Sequence, residues 1–398
     1  MNTNEKALAL HEEWNGKITT EPKCHVRTRE DLALAYTPGV AEPCKKIAKN
    51  KDDVYRYTIK SNTIAVVSDG SAVLGLGNIG PEAAMPVMEG KAVLFKEFGN
   101  VNAFPICLDT QDTEEIIETV IRIAPAFGGI NLEDISAPRC FEIEARLKEA
   151  LSIPVFHDDQ HGTAIVVLAG IINALKIVGK KKENCNVVVN GDGSAGIAIT
   201  KLLLLYGFKH VTICGINGIL SKSSPDLNWM QKEMMEVTNL EQKTGLLSDA
   251  MKGADIFIGV SAPNIVSEEM VASMNQDAIL FAMANPVPEI MPDVAKKAGA
   301  RVVGTGRSDF PNQVNNVVGT GRSDFPNQVN NVVAFPGIFK GALESRASQI
   351  TDEMKLAAAN AIANLVDEKD LNDENILPEA FDPRVADVVA NAVKAYVR

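Results

Sequence analysis

One stretch of the sequence concentrates more chemistry than its neighbours: Ile153-Pro154-Val155-Phe156-His157-Asp158-Asp159-Gln160-His161-Gly162-Thr163. Its first residues read as the end of a buried strand, and Ala164 to Val178 is an apolar run of helical length. Two carboxylates and two imidazoles therefore sit on a strand-to-helix turn. Adjacent Asp158 and Asp159 repel when both are ionised, and a cation beside them is the simple remedy. The plain alternative is a helix start carrying solvated acids. A second acidic pair, Glu133-Asp134, follows the strand-like run Gly128 to Leu132. Three or four carboxylates gathered together suit Mg²⁺ or Mn²⁺. The histidines are further potential ligands, but with no cysteine nearby zinc does not fit. Lys91, within the apolar and small residues of Met88 to Lys96, is either a snorkelling surface lysine or a base with a lowered pKa. Tyr36, just before the turn signal Pro38-Gly39, reads locally as a packing residue.

The elements that must position these groups follow a repeated pattern. Strands are expected at Thr63–Ser68, Asn102–Leu108, Gly128–Leu132 and Ile153–Phe156, with helices near 81–97, 113–124 and 138–150 between them. Each strand runs into an acid: Asp69, Asp109, Glu133-Asp134 and Asp158-Asp159. Carboxyl ends of parallel strands share one edge, so Glu133, Asp134, Asp158 and Asp159 can converge. The glycine-rich loop Leu74 to Pro81 could cradle phosphate, but it lacks the full fingerprint spacing.

A second unit begins at Asn186. Gly191-Asp192-Gly193-Ser194-Ala195-Gly196 matches G-x-G-x-x-G between the strand Val187–Val189 and a helix from Ile197 to Tyr206. That placement points to dinucleotide binding, with the pyrophosphate at the helix N-terminus. The acid expected about twenty residues on, which would hold the ribose 2′-hydroxyl, is replaced by Gly215, with Lys222 nearby. NADP⁺ is therefore expected to be accepted alongside NAD⁺. Further strands are expected at Asp255–Ile258, Ala278–Ala282 and Arg301–Val303, and helices near 334–346, 350–366 and 384–396. The fold class is α/β: a parallel-sheet unit over residues 1–160, then a Rossmann-type dinucleotide-binding unit with a helical C-terminal tail over 161–398.

Residues 302–316 and 317–331 are identical, VVGTGRSDFPNQVNN. Solenoid repeats drift and need about three units, so this is a local duplication. The first copy's Val302-Val303 is expected to join the sheet and the second copy's Asn330-Asn331 to serve the site, with the insert looped out. The rival arrangement uses Asn315-Asn316.

Composition narrows the partners. A formal net charge of -12 argues against nucleic acid or anionic membrane. Six dispersed cysteines without a C-x-x-C pair read as reduced thiols, and Met1 to Trp14 is too polar for a secretion signal, so a cytoplasmic protein is expected. No uncharged apolar run reaches the ~18 residues of a membrane span.

Taken in order, Tyr36-Thr37-Pro38-Gly39-Val40, Ser68-Asp69-Gly70 with Leu74-Gly75-Leu76-Gly77, Gly90-Lys91 and Leu132-Glu133-Asp134 resemble the motifs of malic enzymes of the short bacterial type. So do His157 to Thr163, Ala284-Asn285-Pro286, and Asn330-Asn331 before Phe335-Pro336-Gly337, and the resemblance covers essentially the whole chain. It implies oxidative decarboxylation of L-malate to pyruvate and CO₂ with NAD or NADP and Mn²⁺ or Mg²⁺. It further implies that Glu133, Asp134 and Asp159 bind the metal, that Lys91 is the general base with Asp158 beside it, and that Tyr36 is the general acid. Asn285 and one of Asn330 and Asn331 would hold substrate carboxylate or the nicotinamide end. Where eukaryotic relatives carry a substrate-binding arginine after Asp69-Gly70, this chain has Ser71-Ala72, so carboxylate binding must lean on other groups. The resemblance also implies that the tyrosine segment reaches the neighbouring subunit's site, and hence a homodimer. Two other readings stay open: a metal-independent 2-hydroxy-acid dehydrogenase, which would release no CO₂ and resist chelation, and a non-catalytic nucleotide-binding regulator on the same fold.

Overall fold

The structure, a computed structural model, describes residues 3–285, 287–306 and 327–397. Two sheets organise it. The first contains β1 (Thr63–Ser68), β2 (Asn102–Cys107), β3 (Gly129–Leu132) and β4 (Val155–His157), in the order β2-β1-β3-β4. Its paired strands are all parallel. Helices Pro81–Gly99, Thr113–Ile123 and Arg139–Ala150 make the crossovers. β1 is buried along its whole length, as expected of a parallel strand covered on both faces.

The second sheet contains β5 (Asn186–Asn190), β6 (His210–Gly215), β7 (Gly218–Ile219), β8 (Ile256–Gly259), β9 (Ala278–Ala282) and β10 (Ala300–Thr305). Their order is β10-β9-β8-β5-β6-β7, parallel except for the short β7, which the sequence reading did not include. The chain leaves β5 towards β6 and later returns to β8 on the other side of β5. That reversal is a topological switch point, where a crevice opens at the strands' carboxyl ends. Val302 and Val303 lie in β10, as expected for the first copy of the duplication. Asn315, Asn316 and the rest of 307–326 lie outside the described residues.

Helix Asp158–Val178 runs from the end of β4 into the body of the protein. It starts earlier than the apolar run indicated, so Asp158 and Asp159 are its first turn rather than a preceding loop. It is long and apolar enough to cross a membrane by length and composition, but it is a core helix, 72% of its most apolar window being buried. The expected division at 160/161 falls inside it. Gly170 lets it approach Phe281 of β9, where a Cβ would stand 3.0 Å from Cζ.

The C-terminal helices turn back onto the first sheet. Phe335 and Phe339, from helix Phe335–Glu344, pack edge-on against Phe95 with ring centroids 4.6 and 5.3 Å away. Phe339 also meets Phe156 of β4 at 5.8 Å. Aromatic pairs in this arrangement add about 0.5–1.5 kcal/mol beyond area burial. The tail is thus part of the core that carries the site.

The segment before β1 is different. Helices Thr3–Trp14, Arg29–Ala35, Ala41–Lys49 and Val54–Tyr57 bury almost nothing, and Lys60 is the only buried residue among those described up to Asn62. Lys60 is fixed by carbonyls of Ala124, Pro125 and Phe127.

Candidate active site

Lys91 lies on the buried stripe of helix Pro81–Gly99, between Met88 one turn before and Phe95 one turn after. A side chain placed there cannot snorkel, and Lys91 is 8% exposed. Its Nζ donates to Asp158 Oδ2 at 2.6 Å and lies 2.8 Å from Glu133 Oε1. The ammonium also stands 4.4 Å above the Phe335 ring. Asp158 reaches it because β3 and β4 are neighbours, so the residues that follow them share an edge.

Several details make room for this arrangement. A Cβ on Gly162 would fall 1.9 Å from Asp158 Oδ1 and 3.2 Å from Asn331 Cβ, so Gly162 is clearance for the carboxylate one turn earlier. Asp134 has φ of 53°, the left-handed region, and its N–H donates to Asp159 Oδ2 at 2.8 Å. A non-glycine residue held there costs of order 1 kcal/mol. That cost is tolerated where it brings two acids together.

Asn331 donates from Nδ2 to Asp158 Oδ2 at 2.7 Å. Asn330 instead turns inward to cap the short helical turn Asn331–Val333, accepting from the Val332 N–H. Within the second copy of the duplication, Asn331 is therefore the member that meets the acids.

Ligand oxygens of Glu133, Asp134 and Asp159 lie within 4.8 Å of one another. Asp158 Oδ1 is buried with no hydrogen-bond partner. An all-oxygen set around a crowded negative charge fits Mg²⁺ or Mn²⁺. Neither histidine belongs to the set. His161 Nε2 bonds Glu144 at 2.9 Å, and His157 Nδ1 is 3.7 Å from Asp159, too far for a hydrogen bond.

Electrostatics follow from crowding. Burial pushes Asp158 up to about 7, with Lys91 opposing it. Burial raises Glu133 and Asp159 as well, again against Lys91. Lys91 itself feels desolvation pulling it down, but Asp158, Glu133 and Asp159 outweigh this and hold it above its usual range. The lowered lysine pKa read from the sequence is therefore corrected for the bare cluster: three acids, not one apolar pocket, set its charge.

Tyr36 and Asn285 do not join the cluster. Tyr36 is 67% exposed at the end of helix Arg29–Ala35. Asn285, just after β9 on the carboxyl edge, is exposed. Among the described residues no hydrogen bond ties either to Lys91 or the acids.

Three participants were missed from sequence. Asn131 on β3 donates to Glu133 Oε2 at 2.8 Å. Glu144 accepts from the His157 N–H, from His161 and from Lys148, pinning both ends of the turn that carries Asp158 and Asp159. Its signal was legible: Glu144 stands on the stripe of Cys140, Ile143 and Leu147 where an apolar residue belongs. Arg139 contacts Asp69, Ser71 and Ser136, bracing the loop after β1. The glycine-rich loop after β1 is closed by its own backbone, Ile79 and Gly80 both donating to the Gly70 carbonyl.

The second site is built from missing side chains. Gly191 has φ of 133°, and a Cβ there would meet the Val260 carbonyl at 2.7 Å. On Gly196 it would meet the Gly191 carbonyl at 1.8 Å. On Gly193 it would meet nothing within 4 Å, so that glycine leaves open space at the start of helix Ser194–Tyr206, whose N-terminus has no side-chain cap. Ala195 completes the first turn. A tight turn, close helix packing and an uncapped helix start next to open space fit a dinucleotide pyrophosphate.

Residues 15–148 match the family model "Malic enzyme, N-terminal domain", and residues 160–397 match "Malic enzyme, NAD binding domain". The chain belongs to the malic enzyme family. It is 55% identical over 394 residues to a bifunctional malic/malolactic enzyme of Bacillus subtilis, covering 99% of this chain and 92% of that one. It is 56% identical to an NAD-dependent malic enzyme of Geobacillus stearothermophilus, covering 99% and 78%. The crystal structure of an NAD-dependent malic enzyme from Thermotoga maritima superposes with a TM-score of 0.90 at 50% identity, covering 98% of both chains. An expected cofactor class of NAD or NADP and the α/β fold class agree with these relatives.

Proposed function

We propose that the chain oxidatively decarboxylates L-malate to pyruvate and CO₂ while reducing NAD(P)⁺. The observation that carries this reading is the buried contact of Lys91 with Asp158 and Glu133, against the Glu133, Asp134 and Asp159 group. A plain hydroxy-acid dehydrogenase has no use for such a group, and a regulator has no use for a buried lysine beside it.

Glu133, Asp134 and Asp159 would hold Mn²⁺ or Mg²⁺. When bound, the ion acidifies the C2 hydroxyl of malate and polarises the keto group that forms, while the nicotinamide accepts the C2 hydride. With an ion held by Glu133, Asp134 and Asp159, the carboxylates that hold Lys91 protonated would be offset and desolvation would favour its neutral amine. Lys91 Nζ then takes the hydroxyl proton and Asp158 orients the amine through its 2.6 Å contact. Asn331, fixed on Asp158, presents its amide towards the same space. Asn285 stands on the cofactor side, at the edge after β9. The Gly191 to Gly196 loop seats the pyrophosphate.

Tyr36 acts as the acid that protonates the C3 carbon after CO₂ leaves, and it does so in the site of a second subunit. Its exposure supports this, as do the exposed apolar residues elsewhere in the same N-terminal segment, including Leu8, Leu34 and Ile59. A homodimer that buries this segment accounts for helices that bury so little within one chain. Residues 1–160 thus supply the acids and the lysine, and 161–398 the cofactor seat. The six free cysteines support a cytoplasmic setting.

The test is purified protein with L-malate, Mn²⁺ and either cofactor. Pyruvate, CO₂ and reduced cofactor should appear in equal amounts and stop on chelation. Accumulation of oxaloacetate without CO₂, or turnover that resists exhaustive chelation, contradicts the reading.

A further inference from the structure

Gly215 closes β6 at the place where a ribose-binding acid is expected, and its lack of a side chain suggested that NADP⁺ is accepted alongside NAD⁺. The structure fills that place from elsewhere. A Cβ built on Gly215 would lie 2.5 Å from Asp192 Oδ2 and 2.9 Å from its Cγ. The carboxylate of Asp192 therefore occupies the volume that an acid rooted at 215 would enter. Asp192 can reach it because β5 and β6 are adjacent, with Asn190 opposite Cys214, and Asp192 follows two residues beyond β5.

The carboxylate is fixed in that place. Gln231 Nε2 donates to Asp192 Oδ2 at 2.8 Å. The orientation of that amide is set, because Gln231 Oε1 accepts the Asn228 N–H in a capping box. Among the described residues Asp192 Oδ1 makes no hydrogen bond, and the side chain is only partly buried. It is available as an acceptor beside the glycine loop.

The segment just after β6 brings a phosphate little positive charge. From Gly215 to Ser221 the chain contains no lysine or arginine. Lys222, the first cation after the strand, is paired with Glu236 at 2.7 Å.

We propose that Asp192 selects the cofactor: its carboxylate accepts hydrogen bonds from the adenosine ribose hydroxyls of NAD⁺ and repels the 2′-phosphate of NADP⁺. This rests on the reading of Gly191 to Gly196 as the pyrophosphate seat. It replaces the expectation, drawn from Gly215 alone, that NADP⁺ is accepted alongside NAD⁺. It also means that Gly215→Asp would place a second carboxylate against the first instead of restoring a missing one.

Calorimetric titration of the full-length protein with NAD⁺ and with NADP⁺ tests it, for wild type, Asp192→Asn, Asp192→Ala and Gly193→Val. Wild type should bind NAD⁺ at least tenfold more tightly. Asp192→Asn keeps the shape and removes the charge, and with Asp192→Ala it should move the affinity ratio at least tenfold towards NADP⁺. Wild type that prefers NADP⁺, or a ratio unchanged in both variants, overturns the assignment. Gly193→Val has room for its Cβ and puts its methyls into the space left for the pyrophosphate, so it should weaken both cofactors alike. If it weakens neither, the seat itself is misplaced and the proposal falls with it. If it weakens both while the Asp192 variants keep the ratio, only the role of Asp192 is lost.

Discussion

The two parallel sheets present their carboxyl edges to chemistry by opposite means. At the first edge, Lys91, Glu133, Asp158 and Asn331 crowd their side chains into contacts of 2.6–2.8 Å. At the second, Gly191, Gly193 and Gly196 work by having no side chains. The first edge does acid–base work and needs buried charge, which costs desolvation and is retained because each group is paired. The pyrophosphate seat at the second needs only backbone N–H groups and space, which cost little to expose. Substitutions at the first edge should therefore act on turnover, and those at the second on cofactor affinity.

The largest expected effect tests the first half of that contrast. Lys91→Ala should lower kcat by roughly 10²–10⁴, the usual range for a general base, with cofactor affinity little changed. Circular dichroism and a melting curve must accompany the kinetics, because Asp158 loses its buried partner. A changed cofactor affinity with normal kcat would erase the contrast between the two edges.

Next is the acidic group. Asp159→Ala should abolish most activity by weakening Mn²⁺ binding, while the fold persists, since Asp159 lies at a helix start and keeps 30% of its side chain exposed. Titration of Mn²⁺ by calorimetry measures this directly. Wild-type affinity in the variant would remove Asp159 from the ligand set.

Asn331→Ala takes away a hydrogen bond to a charged group, worth about 1.5–3 kcal/mol, and should cost on the order of tenfold to a hundredfold in kcat/KM. Asn316→Ala should be nearly silent. The opposite pattern would assign the site to the first copy of the duplication. Tyr36→Phe should lose the proton donor while keeping the ring. Mixing inactive Tyr36→Phe with inactive Lys91→Ala should restore part of the activity through mixed dimers, and no recovery would mean that each site is built from one chain.

The smallest effect concerns stability. Burial holds His161 down to about 4, against the pull of Glu144. Its unfolded value is about 6.5, so the unfolded chain binds the extra proton first as pH falls. The stability present above pH 6.5 is therefore lost progressively towards pH 4, by about 3 kcal/mol at most. Asp158, raised to about 7, contributes with the opposite sign, gaining stability as pH falls through the same window. Chemical denaturation of wild type and His161→Gln between pH 7.5 and 4.5 separates the two: the variant should lose the His161 share of the fall.

Much of the architecture was legible because it rests on local pattern. The strands before Asp69, Glu133 and Asp158 are apolar runs that end in acids, and parallel topology places the paired ends on one edge whatever the side-chain details. The glycine fingerprint is likewise a backbone requirement written in residue type. Three things were decided only by tertiary structure. The charge state of Lys91 depends on Glu133, Asp158 and Asp159, which lie 42, 67 and 68 positions away in the chain, and no local window contains them. The burial of Glu144 was visible as an acid on an apolar stripe, but its partners His157 and His161 come from another element. Most plainly, Gly215 looked like a missing acid because sequence spacing looks along one strand. The carboxylate that fills its place arrives from the neighbouring strand, and only the lateral pairing of β5 with β6 brings Asp192 there.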